Sequence, residues 1–307
     1  MSDPYIPVRA PNSQFVQVRG LRYHYHAWGD ARLVSPGRPP LVMLHGWMDV
    51  GASFQFVVDA LARREGFERW VIAPDWRGFG LSDSSGDCYW FPDYLGDLDA
   101  LVRALALPQP FDLLGHSMGG NVVMSYAGIR PERIRRLINL EGFGMPATRP
   151  AQAPKRLHQW LEELQAPQQL RSYTSLQAVA GRLRENNPRL SPDKADWLAA
   201  HWAAQRDDGR WHILGDPAHK RVNPMLYHVD EVLETWKLIT APLLWVEAAQ
   251  TDVGKWWGQR YTLAEFHQRL AAVPKVTRAR LDDCGHMLHH DQPDALAAEL
   301  AAFLGAP

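Results

Sequence analysis

One stretch decides the fold of this 307-residue chain: Gly115-His116-Ser117-Met118-Gly119. It follows the apolar residues 111–114 and leads into a helix candidate at residues 120–127. This order predicts a strand, a very tight turn and a helix, with Ser117 at the tip of the turn. The glycines on either side leave room for a strained backbone that lifts the serine hydroxyl clear of the sheet. Ser117 is therefore the predicted nucleophile.

Short apolar runs alternate with helical patterns around this turn. The runs occupy residues 41–44, 70–73, 111–114 and 137–140. A predicted hairpin at residues 15–27 precedes them, and apolar runs return at residues 243–246 and 276–281 before a final helix at 293–304. Continuous apolar strands that alternate with helices are typical of a parallel sheet covered on both faces. The sequence thus predicts an α/β fold with a mostly parallel sheet of about eight strands.

The alternation of strands and helices is interrupted between residues 145 and 236. Helical stripes fill this segment, and it carries Trp160, Trp197 and Trp202. We therefore expect a helical cap domain at residues 145–236 inserted into a core domain formed by residues 1–144 and 237–307. The three tryptophans are expected in the core of the cap, with one or two facing the cleft as an aromatic pocket wall.

A serine hydroxyl needs a base to take its proton and an acid to orient that base. His286 follows the last predicted strand, and its loop is expected at the same sheet edge as the Ser117 turn. Asp252 and Glu141 each follow a predicted strand and compete for the role of the acid. His289 and His290 are expected on the next helical turn, as surface or packing residues.

Four ordered motifs resemble those of the α/β-hydrolase superfamily over nearly the whole chain. They are Leu44-His45-Gly46-Trp47, Asp75-Trp76-Arg77-Gly78-Phe79-Gly80-Leu81-Ser82, Gly115-His116-Ser117-Met118-Gly119-Gly120 and Gly285-His286. The stretch His45-Gly46-Trp47-Met48-Asp49 with the later Ser53-Phe54 is similar to the serine-hydrolase-like branch, with carboxylesterase-like activity. The resemblance implies the α/β-hydrolase fold, with its helical cap, and a serine hydrolase.

The resemblance also implies roles for individual residues. The order serine, acid, histidine favours Asp252 as the acid, with Glu141 as the alternative. The backbone N–H groups of Trp47 and Met118 are the implied oxyanion hole. His116 is expected near the substrate pocket. The acid loop departs from the family pattern, because Ala248 stands where a glycine is usual.

Composition excludes several other classes of protein. The formal net charge is −1 and no long run of like charge occurs, so no nucleic acid or membrane partner is expected. Cys88 and Cys284 have no metal-ligand spacing, and neither a metal nor another cofactor is expected. No signal peptide is recognisable, so the expected location is the cytoplasm. The sequence leaves a homo-oligomer open.

We expect hydrolysis of small-molecule carboxylic esters of short to medium chain length through an acyl-enzyme intermediate. Two alternatives stay open: cleavage of carbon–carbon bonds or cofactor-free perhydrolysis by the same triad, and a ligand-binding protein with a vestigial triad. No charged residue is evidently committed to a substrate head group. The pocket is therefore expected to be apolar and tolerant of neighbouring chain lengths.

Overall fold

The computed structural model of the protein describes residues 3–305. The first two and the last two residues of the expected core domain lie outside the described residues. The strands are β1 (Asn12–Val18), β2 (Leu21–Trp28), β3 (Leu41–Leu44), β4 (Val71–Pro74), β5 (Phe111–His116), β6 (Ile134–Leu140), β7 (Ser172–Tyr173), β8 (Ala203–Gln205), β9 (Trp211–Ile213), β10 (Leu243–Ala248) and β11 (Val276–Leu281).

Helices connect most of these strands. They are α1 (Gln55–Ala62), α2 (Phe91–Ala104), α3 (Met118–Ile129), α4 (Ala153–Gln165), α5 (Leu176–Asn186), α6 (Pro192–Trp202), α7 (Val229–Lys237), α8 (Gly254–Trp257), α9 (Leu263–Leu270), α10 (Leu288–Asp291) and α11 (Pro293–Gly305). Between residues 3 and 305, none of the helices has the length and apolarity needed to cross a bilayer.

The main sheet has eight strands in the order β1-β2-β4-β3-β5-β6-β10-β11. The hairpin β1–β2 and the pair β2–β4 are antiparallel, whereas the pairs from β4 through β11 are parallel. The predicted α/β fold with its mostly parallel eight-stranded sheet is confirmed. Because the carboxyl ends of parallel strands meet at one edge, the loops after β3, β5, β6, β10 and β11 lie together there.

Apolar side chains cover both faces of this sheet. One face packs against α2, α3, α7 and α9, with Leu98, Val123, Trp236 and Phe266 among the buried contacts. The other face packs against α1, α10 and α11. Burial on two sides explains why the central strands are continuous apolar runs in the sequence. The rigid sheet fixes the loops at its carboxyl edge.

The segment expected as the cap forms a small cluster of its own. Helices α5 and α6 pack together with a three-stranded antiparallel sheet of order β7-β9-β8, which the helical pattern of the sequence did not predict. This cluster shares its apolar core with Val50, Ala52 and Phe56 from the segment after β3. Helix α7 lies within the expected cap range but packs against α3, and its Trp236 is buried under the main sheet.

The close approach of α3 to α7 gives a test of this packing. A Cβ added at Gly128 would collide with the carbonyl oxygen of Thr235 in α7, whereas one added at Gly181 in α5 would meet open space. We expect Gly128→Ala to lower the free energy of unfolding by about 1–3 kcal/mol, because overpacking forces the helices apart. Gly181→Ala should instead raise it by roughly 0.5–1 kcal/mol, since alanine favours helix. Urea unfolding measures both values, and equal effects of the two changes would contradict the packing of α7 on α3.

Candidate active site

Ser117 sits on a strained turn between β5 and α3. Its backbone has φ 53° and ψ −114°, a conformation that L-residues rarely adopt. Glycines permit the turn, because a Cβ at Gly115 would collide with the Gly119 carbonyl, and one at Gly119 with the Leu44 carbonyl. The Ser117 N–H donates to the Leu140 carbonyl at 2.9 Å, which anchors the turn to the neighbouring strand. The predicted strand–turn–helix geometry is therefore present.

His286 lies in the loop between β11 and α10 and faces this serine. Its Nε2 atom is 2.9 Å from the Ser117 Oγ atom, within hydrogen-bond distance. The imidazole is three-quarters buried, with 25% of its side chain exposed, so it also reaches solvent. The structure thus brings together the two residues that the sequence placed at the sheet edge as nucleophile and base.

Glu141 provides the carboxylate on the other side of His286. Its Oε2 atom lies 2.8 Å from His286 Nδ1 and accepts a hydrogen bond from Thr251 Oγ1 at 2.7 Å. Its Oε1 atom accepts from the Ala248 N–H at 2.7 Å. Glu141 directly follows β6, is buried, and has a positive φ of 54°. These bonds hold the carboxylate against the imidazole.

Asp252, the acid favoured by the sequence, is not in contact with His286. It is exposed, and its Oδ1 atom accepts a hydrogen bond from the Gly254 N–H at 2.9 Å at the start of α8. The expectation must be corrected, because Glu141 occupies the position beside His286 Nδ1. The end of β10 and the loop after it contribute to the site by another route, because Ala248 at the end of the strand and Thr251 in the loop both donate hydrogen bonds to the Glu141 carboxylate.

Met118 and Trp47 flank the serine as the resemblance implies. Met118 is the first residue of α3, where backbone N–H groups have no partner within the helix. Trp47 follows Gly46, and a Cβ at Gly46 would lie 3.1 Å from Ser117 Cβ, so the two loops approach closely. Within residues 3–305, neither N–H has a hydrogen-bond acceptor in the protein. Both groups are therefore free to bind a substrate oxygen.

His116 lies beside His286 and is buried. Its Nε2 atom donates a hydrogen bond to the His286 carbonyl oxygen at 2.8 Å. Burial, together with the like charges of His289 and His286, lowers the pKa of His116 well below its ordinary value. A neutral imidazole with the proton on Nε2 suits this contact. His116 also lines the cavity over Ser117.

A cavity of about 250 Å³ opens over Ser117 and His286. Leu183, Leu190 and Leu198 from the cap form much of its apolar wall. Of the three cap tryptophans singled out from the sequence, Trp202 lines this cavity. Trp197 packs against Phe56 and Tyr5, and Trp160 against Trp90, so neither forms part of its lining.

Sequence reasoning missed three features of this site. Trp256 in α8 stacks edge-on against His286 with ring centroids 4.6 Å apart. Asp49 lines the cavity, contrary to the expectation that no charged residue serves the pocket. His289 and His290 are buried in α10, the packing role that the sequence left open, and the sequence did not indicate that they cluster with Asp49. The only available signal was the position of Asp49 within the motif that begins at His45.

Comparison with known proteins identifies the family. The family model described as the alpha/beta hydrolase fold matches residues 39–293. The chain belongs to this family. A serine hydrolase-like protein of Danio rerio is 27% identical to this chain over 289 residues, which cover 90% of this chain and 86% of the relative.

Other similar proteins also span nearly the whole hydrolase. A 3-hydroxybutyrate-oligomer hydrolase of Cupriavidus necator is 29% identical over 315 residues, covering 97% of this chain and 99% of the relative. Among solved structures, the thioesterase domain from the curacin biosynthetic pathway has a TM-score of 0.80 at 25% identity. That match covers 95% of this chain and 99% of the domain.

Proposed function

We propose that this hydrolase cleaves carboxylic esters of short to medium chain length with Ser117, His286 and Glu141. The observation that carries the proposal is the unbroken hydrogen-bond chain from Ser117 Oγ through the His286 imidazole to the Glu141 carboxylate. Such a chain raises the nucleophilicity of the hydroxyl and stabilises the imidazolium that forms in the reaction.

Acylation begins when Ser117 Oγ attacks the ester carbonyl carbon and its proton passes to His286 Nε2. The carbonyl oxygen becomes an oxyanion and accepts hydrogen bonds from the Met118 and Trp47 N–H groups. His286 then gives its proton to the leaving alkoxide, and the alcohol departs. Water then attacks the acyl carbon as it loses a proton to His286, and His286 returns this proton to Ser117 Oγ as the carboxylic acid leaves.

The shape of the cavity supports the chain-length part of the proposal. At about 250 Å³ it is smaller than the roughly 300–1,000 Å³ of pockets for drug-sized ligands. The names of two relatives support ester chemistry, because a thioesterase and a hydrolase of 3-hydroxybutyrate oligomers both cleave bonds to an acyl carbon. A short acyl group fits the cavity, whereas a long lipid chain needs an extended groove.

A panel of p-nitrophenyl esters tests this proposal. We expect turnover of acetate through hexanoate esters at graded rates, because one methylene in an apolar pocket changes the barrier by only ~1–3 kcal/mol. Emulsified long-chain triglycerides should not be hydrolysed, and a fluorophosphonate should abolish turnover by labelling Ser117. Labelling without turnover of any ester would indicate a binding protein with a vestigial triad. Turnover of a diketone but not of esters would indicate carbon–carbon bond cleavage.

A further inference from the structure

The catalytic cavity contains a buried carboxylate that the reaction does not use. Asp49 is 6% exposed and lines the same cavity as Ser117 and His286. It lies in the loop after β3, two residues beyond Trp47. Since an extended chain advances at most about 3.3–3.6 Å per residue, its Cα lies within about 7 Å of the Trp47 Cα. Asp49 is thus close to the proposed oxyanion donor.

One oxygen of the Asp49 carboxylate has no hydrogen-bond partner among the described residues. Its Oδ2 atom is buried and unpartnered among residues 3–305, and the His289 Nε2 atom lies 3.8 Å away, beyond hydrogen-bond distance. Burial opposes ionisation, yet the polar contact with the His289 side chain and the charges of His290 and His289 lower the pKa of Asp49 to about 2. A buried, ionised and unpartnered oxygen is unfavourable unless a bound molecule donates to it.

The imidazoles of His289 and His290 do not donate a hydrogen bond to the Asp49 carboxylate. The Ser53 Oγ atom lies 3.1 Å from His289 Nε2 and also forms a hydrogen bond with His290 Nε2. The ligand-type atoms of Asp49, His289 and His290 lie within 4.8 Å of one another, as a cation site would require. Ser53, however, already engages both Nε2 atoms. Among residues 3–305, the buried atoms of this cluster that have no hydrogen-bond partner are Asp49 Oδ2 and His289 Nδ1, and of these two residues only Asp49 lines the cavity.

The other residues that line the cavity indicate which hydrogen-bond donor a substrate would bring to Asp49. The side of the wall that faces residues 183–202 is mainly apolar, at Leu183, Leu190, Leu198 and Trp202, and Asn186 and Asn187 are its polar members. A ligand that fits such a wall is mostly apolar and carries few polar groups. A neutral hydroxyl enters this environment at a lower desolvation cost than an ammonium group does. The donor must also lie within a few bonds of the scissile carbonyl, because Asp49 is so close in the chain to Trp47.

We propose that Asp49 is a specificity-determining residue that accepts a hydrogen bond from a hydroxyl on the second or third carbon of the acyl chain. The preferred substrates are then esters of short hydroxy acids. This inference rests on the proposed ester hydrolysis and adds the substrate class to it.

A matched pair of esters tests the inference. We expect the wild-type enzyme to hydrolyse p-nitrophenyl 3-hydroxybutyrate with a kcat/KM roughly ten- to hundred-fold above that for p-nitrophenyl butyrate, as one hydrogen bond to a charged group allows. Asp49→Leu, which keeps a similar shape without an acceptor, should lose this preference, so that its kcat/KM for the 3-hydroxybutyrate ester falls to its kcat/KM for the butyrate ester. The control Asp207→Leu, in an exposed turn of the cap segment, should retain the wild-type ratio.

The possible results separate this inference from the proposed function. Hydrolysis of both esters at equal rates, or faster hydrolysis of the butyrate ester, would overturn the role of Asp49 while ester hydrolysis stands. A preference retained in Asp49→Leu would overturn it too, as would faster turnover of p-nitrophenyl 3-aminobutyrate, which identifies an ammonium group. Failure to hydrolyse any ester would overturn the proposed function itself. If Asp49→Leu does not fold, the wild-type ratio alone decides.

Discussion

Ser117→Ala should lower kcat for p-nitrophenyl butyrate by about a million-fold, the loss seen when the nucleophile of a serine protease triad is removed. Without the Oγ atom no acyl-enzyme forms, and His286 Nε2 has no hydroxyl to deprotonate. Folding should be unaffected, because the Ser117 hydroxyl does not cap α3. Stopped-flow or steady-state assays with purified protein measure the loss.

Ser125 supplies the control for this experiment. It lies two turns further along α3 and has no role in the proposed reaction. Ser125→Ala should keep kcat near the wild-type value, and circular dichroism should show both variants folded. Residual activity of Ser117→Ala within tenfold of the wild type would contradict a serine nucleophile.

Glu141→Gln should lower kcat by roughly ten-thousand-fold, whereas Asp252→Asn should change it only a few-fold. A glutamine cannot carry the charge that stabilises the His286 imidazolium, and it favours the wrong tautomer of the ring. It also cannot reproduce all three hydrogen bonds that the carboxylate accepts from Ala248, Thr251 and His286. Kinetics of both variants on one ester give the comparison.

Thermal unfolding supports the interpretation of this pair. Asp252 is exposed and bonds only within its own turn, so Asp252→Asn should leave the melting temperature nearly unchanged. The loss of activity in Glu141→Gln is assigned to catalysis only if this variant still unfolds cooperatively. The assignment of Glu141 fails if Asp252→Asn proves the more damaging change.

The succession of the main-sheet strands along the chain and the position of the serine were predictable from sequence, but the choice between Asp252 and Glu141 as the acid was not. The strands before Glu141 and Asp252 are neighbours in the sheet, since Leu140 in β6 pairs with Val246 in β10. Both acids therefore leave the sheet at the same edge, and strand order alone cannot separate them. The positive φ of Glu141, which turns its side chain toward His286, is a consequence of tertiary structure.

The sequence predicted that the cavity wall is apolar and aromatic, but not which residues form it. Trp197 and Trp202 are five residues apart in α6, which separates them by about 140° around a helix of 3.6 residues per turn. Only one of them can face the cavity, and the sequence does not say which face of α6 meets it.

Asp49 was missed for a related reason. An acidic residue next to a turn is usually exposed. The burial of Asp49 depends on the contacts of the expected cap segment with residues 50–56.

The position of Glu141 directly after β6 has a consequence for how this enzyme can diversify. In the proposed mechanism, the segment from Gln250 to Tyr261, between β10 and α9, supplies no side chain that reacts. Only the Thr251 hydroxyl within it supports Glu141, while Trp256 stands beside His286. Loops that carry no reacting group tolerate insertion and exchange. Changes in this loop can therefore alter substrate selectivity, in evolution or in the laboratory, while Ser117, His286 and Glu141 stay in place.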